Sequence, residues 1–309
     1  MKVIADAAAL QPGPRPVCAA IGVFDGVHLG HQRVLRQTLS EAARLGGLSV
    51  VVTFDRHPNA VVAPASVPPL IYPPARSLEV IASLGVEAAY VIRFDKEFSR
   101  IPGAQFVRGL ALGFQQIKSI CVGDGFMFGA GRTGDVALLQ KLGGELGFTL
   151  HALRDVELDG QSVSSTRIRD AVRAGDFALA GRMLGRPYAL CGVVIKGAQL
   201  GRKLGFPTAN LDVSGLVIPP SGVYAADVQM GGAHYRAAVN IGHRPTVRSA
   251  DPQLHVEAHL LDFDGDIYRQ AMELAFLKKL REERKFPTPA LLCAQIADDL
   301  RQARILPIP

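Results

Sequence analysis

The feature that most constrains this chain is a change of pattern at Arg186-Pro187. Before it, short apolar, β-rich runs alternate with segments of helical period. The runs are VCAAIGVF (17–24), LSVVVTF (48–54), AAYVIRF (88–94), IKSICVG (117–123) and FTLHAL (148–153). Between the first two, Val34, Leu35, Leu39, Ala42 and Leu45 recur at helical spacing until Gly46-Gly47 offers a stop. Further helices are predicted around Ser77–Leu84, after Pro102 and over DVALLQKLGGELG. Repeated β-α-β of this kind implies an α/β fold, a mostly parallel sheet covered on both faces, with ligands at the carboxyl ends of its strands. After the break the chain reads as strands alone: YALCGVVIKG, GVYAADVQM, HYRAAVNIG, LHVEAHLLDF and IYRQAMELAFL. Gly231-Gly232 and Asp264-Gly265-Asp266 read as hairpin turns, and the spacing suits a small antiparallel barrel. One helix closes the chain, capped by Thr288 with Pro289 in its first turn. Two domains are therefore expected, 1–184 and 185–309, a division that 309 residues amply support.

With 48% hydrophobic and 20% charged residues, the chain has a globular balance and not that of a disordered protein. Its four cysteines, Cys18, Cys121, Cys191 and Cys293, form no CxxC pair and lie in apolar segments, as reduced thiols of a cytoplasmic protein would. The first residues, MKVIADAAALQPGPRPV, lack a signal-peptide core, and no apolar run has the length of a membrane span. The net charge of +6 fits either a phosphate-rich partner or ordinary solvated arginines. Nucleic-acid binding is not expected: there is no Trp and no basic run interleaved with aromatics.

The sharpest local motif is GVFDGVHLGH, residues 22–31. A strand ends near Phe24 and a helix begins near Leu29, so His28 and His31 fall three apart at a helix N-terminus. Free backbone N–H groups and the positive end of the helix dipole point there too. Two imidazoles beside such an anion hole suit a triphosphate whose α-phosphorus is attacked, a chemistry of positioning and electrostatics. In SSTRIRD, 164–170, Ser164 or Ser165 can cap a helix. Arg167 and Arg169 then lie in its first turn, where cations oppose the dipole unless a polyphosphate resolves the conflict. GDGFMFGAGRTGD, 123–135, contains a GxGxxG at Gly129, Gly131 and Gly134, which admits a nicotinamide or flavin oxidoreductase as a rival reading. Asp124 and Gly125 interrupt the strand well before the first of those glycines, so the segment reads instead as a substrate-contact loop. No GxxxxGK[ST] loop is present.

In the second half, GRKLGFPTANL (201–211) joins a basic glycine turn to Thr208 and Asn210, which point the same way on extended chain. A hydroxyl and an amide oxygen are hard ligands suited to Mg²⁺ on ATP. In LHVEAHLLDFDGD, Leu254, Val256, Ala258 and Leu260 share one face and His255, Glu257 and His259 the other. If that second face lines a pocket, Glu257 can take a proton from a substrate hydroxyl; if it meets water, Glu257 is an ordinary surface acid.

Taken in order, GVFDGVHLGH, VGDGFMFG with RTGD, VSSTRIR, GRKLGFPTANL, PPSGVYA, VNIGHRPTV, VEAHLLDFDGDIY and LREERKF resemble the bacterial bifunctional riboflavin kinase/FMN adenylyltransferase (FAD synthetase) family. The resemblance runs from about Ala20 to Phe286. It implies a Rossmann-like nucleotidyltransferase domain followed by a six-stranded riboflavin-kinase barrel. It implies ATP and phosphate contacts at Gly22, Phe24, Asp25, His28, Gly30, His31, Ser164, Ser165, Thr166 and Arg167 in the first half. In the second these fall at Gly201, Lys203, Thr208 and Asn210, the last two holding Mg²⁺ with ATP. Flavin contacts would fall at Asp124, Phe126, Phe128 and Arg281, and Glu257 would be the general base for the riboflavin 5′-hydroxyl. Partners would be the small molecules ATP, riboflavin and FMN, with FAD as product. The chain departs from the family pattern at Gly125 and Met127, at Asp55-Arg56, and at Arg269-Gln270. The first two departures lie in the adenylyltransferase half, so a kinase-only enzyme is the nearest alternative. A flavin-binding regulator, a different class, would need neither His28 nor Glu257.

Overall fold

A computed structural model describes residues 1–197, 201, 204–243 and 254–306. Contacts divide the chain into two units, Met1–Leu70 with Pro74–Ser165 and Ile71–Pro73 with Thr166–Pro309.

The first unit is built on six parallel strands: β1 (Lys2–Ile4), β2 (Val17–Ile21), β3 (Leu48–Phe54), β4 (Ala88–Ile92), β5 (Ile117–Gly123) and β6 (Thr149–Leu153), in the order β1-β4-β3-β2-β5-β6. Its helices are α1 (Leu29–Leu45), the single turn α2 (Asn59–Val62), α3 (Pro74–Ser83), α4 (Gly103–Phe114) and α5 (Val136–Leu146). A two-stranded hairpin, β7 (Glu157–Leu158) with β8 (Gln161–Ser162), follows the sheet. Alternate strand residues feed two cores. Val17, Ala19 and Ile21 face Phe106, Leu110, Phe114, Leu139 and Leu142 of α4 and α5, whereas Ala20, Val51 and Cys121 face Val34 and Leu35 of α1. Both faces are thus covered, which is why the strands read as continuous apolar runs. Gly46, left-handed at φ 61°, ends α1 and gives its N–H to the Ala42 and Ala43 carbonyls. β1 was not legible as a strand: three residues at the edge, two of them exposed, carry little pattern.

Strand order places the topological switch between β2 and β5. The chain leaves β2 through α1 toward β3 on one side, and later returns through α4 to place β5 on the other. The loops after β2 and β5 therefore emerge side by side at the carboxyl edge, where such sheets bind ligands.

On the covered face below that edge, Glu41 of α1 is buried and takes a 2.6 Å ion pair from Arg44. The Arg44 hydrogen bond, with His151 beside it, holds the Glu41 carboxyl below its ordinary pKa. Such a group stabilises the fold above its unfolded pKa of about 4.3, and the contribution is lost as pH falls through the folded value. Glu41→Gln is therefore expected to lower the melting temperature at pH 7, with the gap from the parent closing toward pH 3.

The second unit begins with α6 (Ser165–Ala174), whose first residue belongs to the first, and α7 (Phe177–Leu184). Six strands follow: β9 (Ala189–Ile195), β10 (Ala209–Asp212), β11 (Gly222–Met230), β12 (Ala233–His243), β13 (Leu254–Leu260) and β14 (Ala271–Arg281), and helix α8 (Pro289–Ile305) ends the described chain. The strands close into a barrel in the order β10-β13-β12-β11-β14-β9, with every pair antiparallel. Phe177 of α7 stacks on Phe276 at 4.9 Å and on Tyr188 at 6.0 Å, seating α7 on the barrel. Gly231 and Gly232, at φ 58° and 81°, make the predicted tight turn between β11 and β12. Asp264-Gly265-Asp266 does not make a hairpin: β13 and β14 are not neighbours, and the segment carries the chain across the barrel so that β14 inserts between β11 and β9. The predicted strand at Ile267 accordingly starts only at Ala271. Cys18, Cys121 and Cys191 are buried, Cys293 is half-buried, and all four are unbridged. No described helix is long and apolar enough to cross a membrane.

Candidate active sites

In the first unit, β2 stops at Ile21, three residues earlier than its apolar run suggests, because the loop must turn. Gly26 and Val27 are both left-handed, at φ 78° and 43°. A β-branched residue there is strained, and such strain persists where the surroundings impose it, commonly at functional sites. The loop delivers His28 to the N-cap of α1, where its Nδ1 accepts the His31 N–H at 3.4 Å. A neutral His28 then carries its ring proton on Nε2. The His28 and His31 rings stack at 3.7 Å, and Phe24 meets His31 edge-on at 5.3 Å. A Cβ on Gly30 would lie 3.0 Å from the His28 ring, so the glycine keeps that ring in place. Gly22 closes the strand end by donating its N–H to the Val52 carbonyl at 3.1 Å. Asp25 is buried, and its carbonyl accepts the Ser165 hydroxyl at 3.0 Å. Ser164 precedes that residue, and Thr166 and Arg167 follow it in the first turn of α6.

After β5, Phe126 and Phe128 stack at 5.2 Å, and Phe128 continues a run of ring contacts through Phe106, Phe98 and Phe94 to Phe54 at the end of β3. Asp124 is exposed at the start of this loop and is fixed by its N–H to the Leu153 carbonyl at 2.9 Å. Two of the GxGxxG glycines serve packing. Gly129 is left-handed and abuts the backbone of Gly103, and Gly134 pairs with Phe128 as an isolated bridge. The strand has ended at Gly123 and α5 begins only at Val136, so this is not the strand-turn-helix of a dinucleotide fingerprint. A Cβ on Gly134 would lie 2.6 Å from the Phe128 ring. Gly134→Ala is expected to push that ring off its stack. The near-ultraviolet circular dichroism of the Phe126–Phe128 pair should weaken accordingly, and that measurement checks the displacement.

In the second unit, β13 alternates as predicted: Val256, Ala258 and Leu260 are buried while Glu257 and His259 are half-buried. Register sets the catalytic candidates in a row. Asn210 on β10 and Asn240 on β12 stand directly opposite Glu257 on either side. Side chains so paired share one face with Cβ atoms about 5 Å apart. Asn240 was missed from sequence, although it sits on the polar face of an alternating strand; only the register marks it. Glu257, Asn240, His259, Thr208 and Gly201 line a hollow of about 290 Å³ with Arg281, Glu283, Arg284 and Phe286, closed by Leu292, Ile296, Asp299 and Leu300 of α8. A second hollow of about 320 Å³ lies across Thr208, lined also by Pro207, Ala209, Leu260, Phe263, Asp264, Asp266 and Tyr268. Thr208 is thus a wall common to both. Asn210 is only 9% exposed, and a Cβ on Gly197 would overlap its amide, so close backbone approach fixes that side chain. Lys203 lies outside the described residues.

A parallel sheet with a helix N-terminus at its switch point, followed by a closed barrel bearing a carboxylate between two amides, is the framework of a transferase of two parts. The FAD synthetase family model matches residues 10–167 and the riboflavin kinase model residues 184–306. Relatives named bifunctional riboflavin kinase/FMN adenylyltransferase include those of Pseudomonas fluorescens and Escherichia coli K12. The first is 40% identical over 97% of this chain and 96% of its own, and the second 39% identical over 98% and 97%. That of Bacillus subtilis is 35% identical over 92% and 90%. A solved Streptococcus pneumoniae structure titled a macrolide-efflux protein superposes with a TM-score of 0.81 at 28% identity, covering 99% of both chains. The chain belongs to the bifunctional riboflavin kinase/FMN adenylyltransferase family.

Proposed function

We infer that this chain is an enzyme with both activities of its family: it phosphorylates riboflavin with ATP to give FMN, then transfers the adenylyl group of a second ATP to FMN, releasing pyrophosphate and FAD. The observation that carries the reading is that each unit holds its own constellation. The His28–His31 pair sits at the N-terminus of α1, and the Asn210–Glu257–Asn240 row crosses the barrel. The functional division is 1–184 for adenylyl transfer and 185–309 for the kinase.

In the kinase, Glu257 accepts the proton of the riboflavin 5′-hydroxyl as its oxygen attacks the γ-phosphorus. The 290 Å³ hollow takes riboflavin and the 320 Å³ hollow the nucleotide, so the transfer passes across Thr208. Among the described residues no cluster of three His, Cys, Asp or Glu is placed to hold a metal by itself. The hydroxyl of Thr208 and the amide oxygen of Asn210 nevertheless fit Mg²⁺ arriving with ATP, since that ion takes few protein ligands beside phosphate and water. Bound there, it would offset charge on the nucleotide phosphates.

In the adenylyltransferase, the stacked imidazoles of His28 and His31 and the N–H groups of the first turn of α1 hold the ATP phosphates. They stabilise the charge that grows on the α-phosphate as the FMN phosphate attacks. Gly22, Phe24, Asp25 and Gly30 shape that cradle, and Ser164, Ser165, Thr166 and Arg167 supply further phosphate donors. Phe126 and Phe128 offer a ring stack to the isoalloxazine, with Asp124 at the mouth of that loop.

Incubation with riboflavin, ATP and Mg²⁺, followed by chromatography of the flavins, tests the whole reading. FAD is the expected end product. FMN alone would leave a kinase without its partner activity, as the departures at Gly125 and Met127 would allow, and unchanged riboflavin would sink the assignment.

A further inference from the structure

Helix α8 does not bury an apolar face. Of its 17 residues only Asp299 and Ala303 are buried. Leu292, Ile296 and Leu300, at i, i+4 and i+8, are half-buried and line the 290 Å³ hollow. At mid-length the tie is polar. Asp299, 3% exposed, takes Arg281 Nε at 3.0 Å on both carboxylate oxygens and Arg281 Nη2 at 2.8 Å. Gln295 Nε2 adds a bond at 2.9 Å. Arg281 Nη1 donates to the Glu282 carbonyl at 3.1 Å, so each guanidinium nitrogen is engaged with protein. Arg281, at the end of β14, borders the hollow while its charge is satisfied from α8.

We propose that Asp299, acting through Arg281 with Gln295 in support, is a positioning residue that fixes α8 as the wall of the flavin pocket and thereby sets riboflavin affinity. This rests on the reading that the 290 Å³ hollow takes riboflavin. A fork of two parallel N–H···O bonds fixes direction as well as distance, which a single apolar contact does not. With the fork in place, Leu292 and Ile296 stand where a flat aromatic ring system gains their apolar contact; without it that wall drifts. Glu257 takes its place from the ladders to β10 and β12, so the transfer step proper is spared.

The test is steady-state riboflavin phosphorylation by the full chain at saturating ATP, with Asp299→Asn, Asp299→Ala and Arg281→Lys beside Glu257→Gln. Riboflavin affinity is read separately by quenching of its fluorescence. Asp299→Asn keeps the volume and Arg281→Lys keeps the charge without the fork, so both remain informative if Asp299→Ala fails to fold. The expected result is a riboflavin KM and Kd raised tenfold or more, with kcat within threefold and FMN adenylylation unaltered. A purely structural role would lower kcat through a smaller active fraction at unchanged KM, and that outcome overturns the proposal. A riboflavin KM within twofold of the parent in both conservative variants overturns it too. If Glu257→Gln still makes FMN at the parental rate, the assignment of the hollow is what fails; if Glu257→Gln is inactive and KM is unmoved, the positioning role fails alone.

Discussion

Glu257→Gln is expected to reduce riboflavin phosphorylation by about 10³-fold, within the range a positioned general base supplies. The change keeps side-chain volume and removes only the basic oxygen. Glu257 stands between Asn210 and Asn240 in the same cross-strand row, so its orientation is set by the ladder and survives the substitution. Riboflavin KM should move little. The same sample given FMN and ATP should make FAD at the parental rate, because that reaction is assigned to the first unit. Chromatography of flavins from the two incubations, one started from riboflavin and one from FMN, reads both numbers. Retention of riboflavin phosphorylation would remove Glu257 from the mechanism.

The second large effect is expected at His28, and it runs the other way. His28→Asn should leave riboflavin phosphorylation intact and cut FMN adenylylation by about 10²- to 10³-fold, the usual loss when a preorganised donor to a developing charge is removed. Asparagine is the informative replacement because His28 also caps α1. Alanine would forfeit the cap, worth about 1 kcal/mol, and mix a folding effect with a chemical one, whereas asparagine is itself a good cap. The expected product of riboflavin, ATP and this variant is accumulated FMN. Parental FAD formation would show that His28 serves only the helix.

What sequence made legible follows from periodicity. The parallel sheet was readable because its central strands are buried on both sides, and α1 because its apolar period, Gly46 stop and His28 start agree. The weak spots were short or register-dependent. β1 is an exposed edge of three residues, and β10, four residues with one exposed, read only as extended chain. The Asp264-Gly265-Asp266 segment carries turn chemistry, but turn chemistry does not say which strands it joins; barrel closure does. The same limit hid Asn240, a partner of Glu257 only through pairing of β12 with β13, and Asp299, whose tie to Arg281 spans 18 positions. Glu257 itself was visible in the alternation of β13, yet its setting between two amides was not.

The insertion of β14 between β9 and β11 has a consequence for the order in which the protein can be made. All six strands of the parallel sheet lie within the first 153 residues, so a nascent chain can complete that layer early. The barrel has no such freedom. β9 waits for a neighbour some eighty residues downstream, and until β14 leaves the ribosome both β9 and β11 present open edges. Pairings of such long sequence separation form slowly, and unpaired edges recruit other chains. A chain cut short before Ala271 is therefore expected to yield a folded first unit trailing an adhesive, unclosed remainder, which makes the interval between the synthesis of β9 and the emergence of β14 the one of greatest exposure to aggregation.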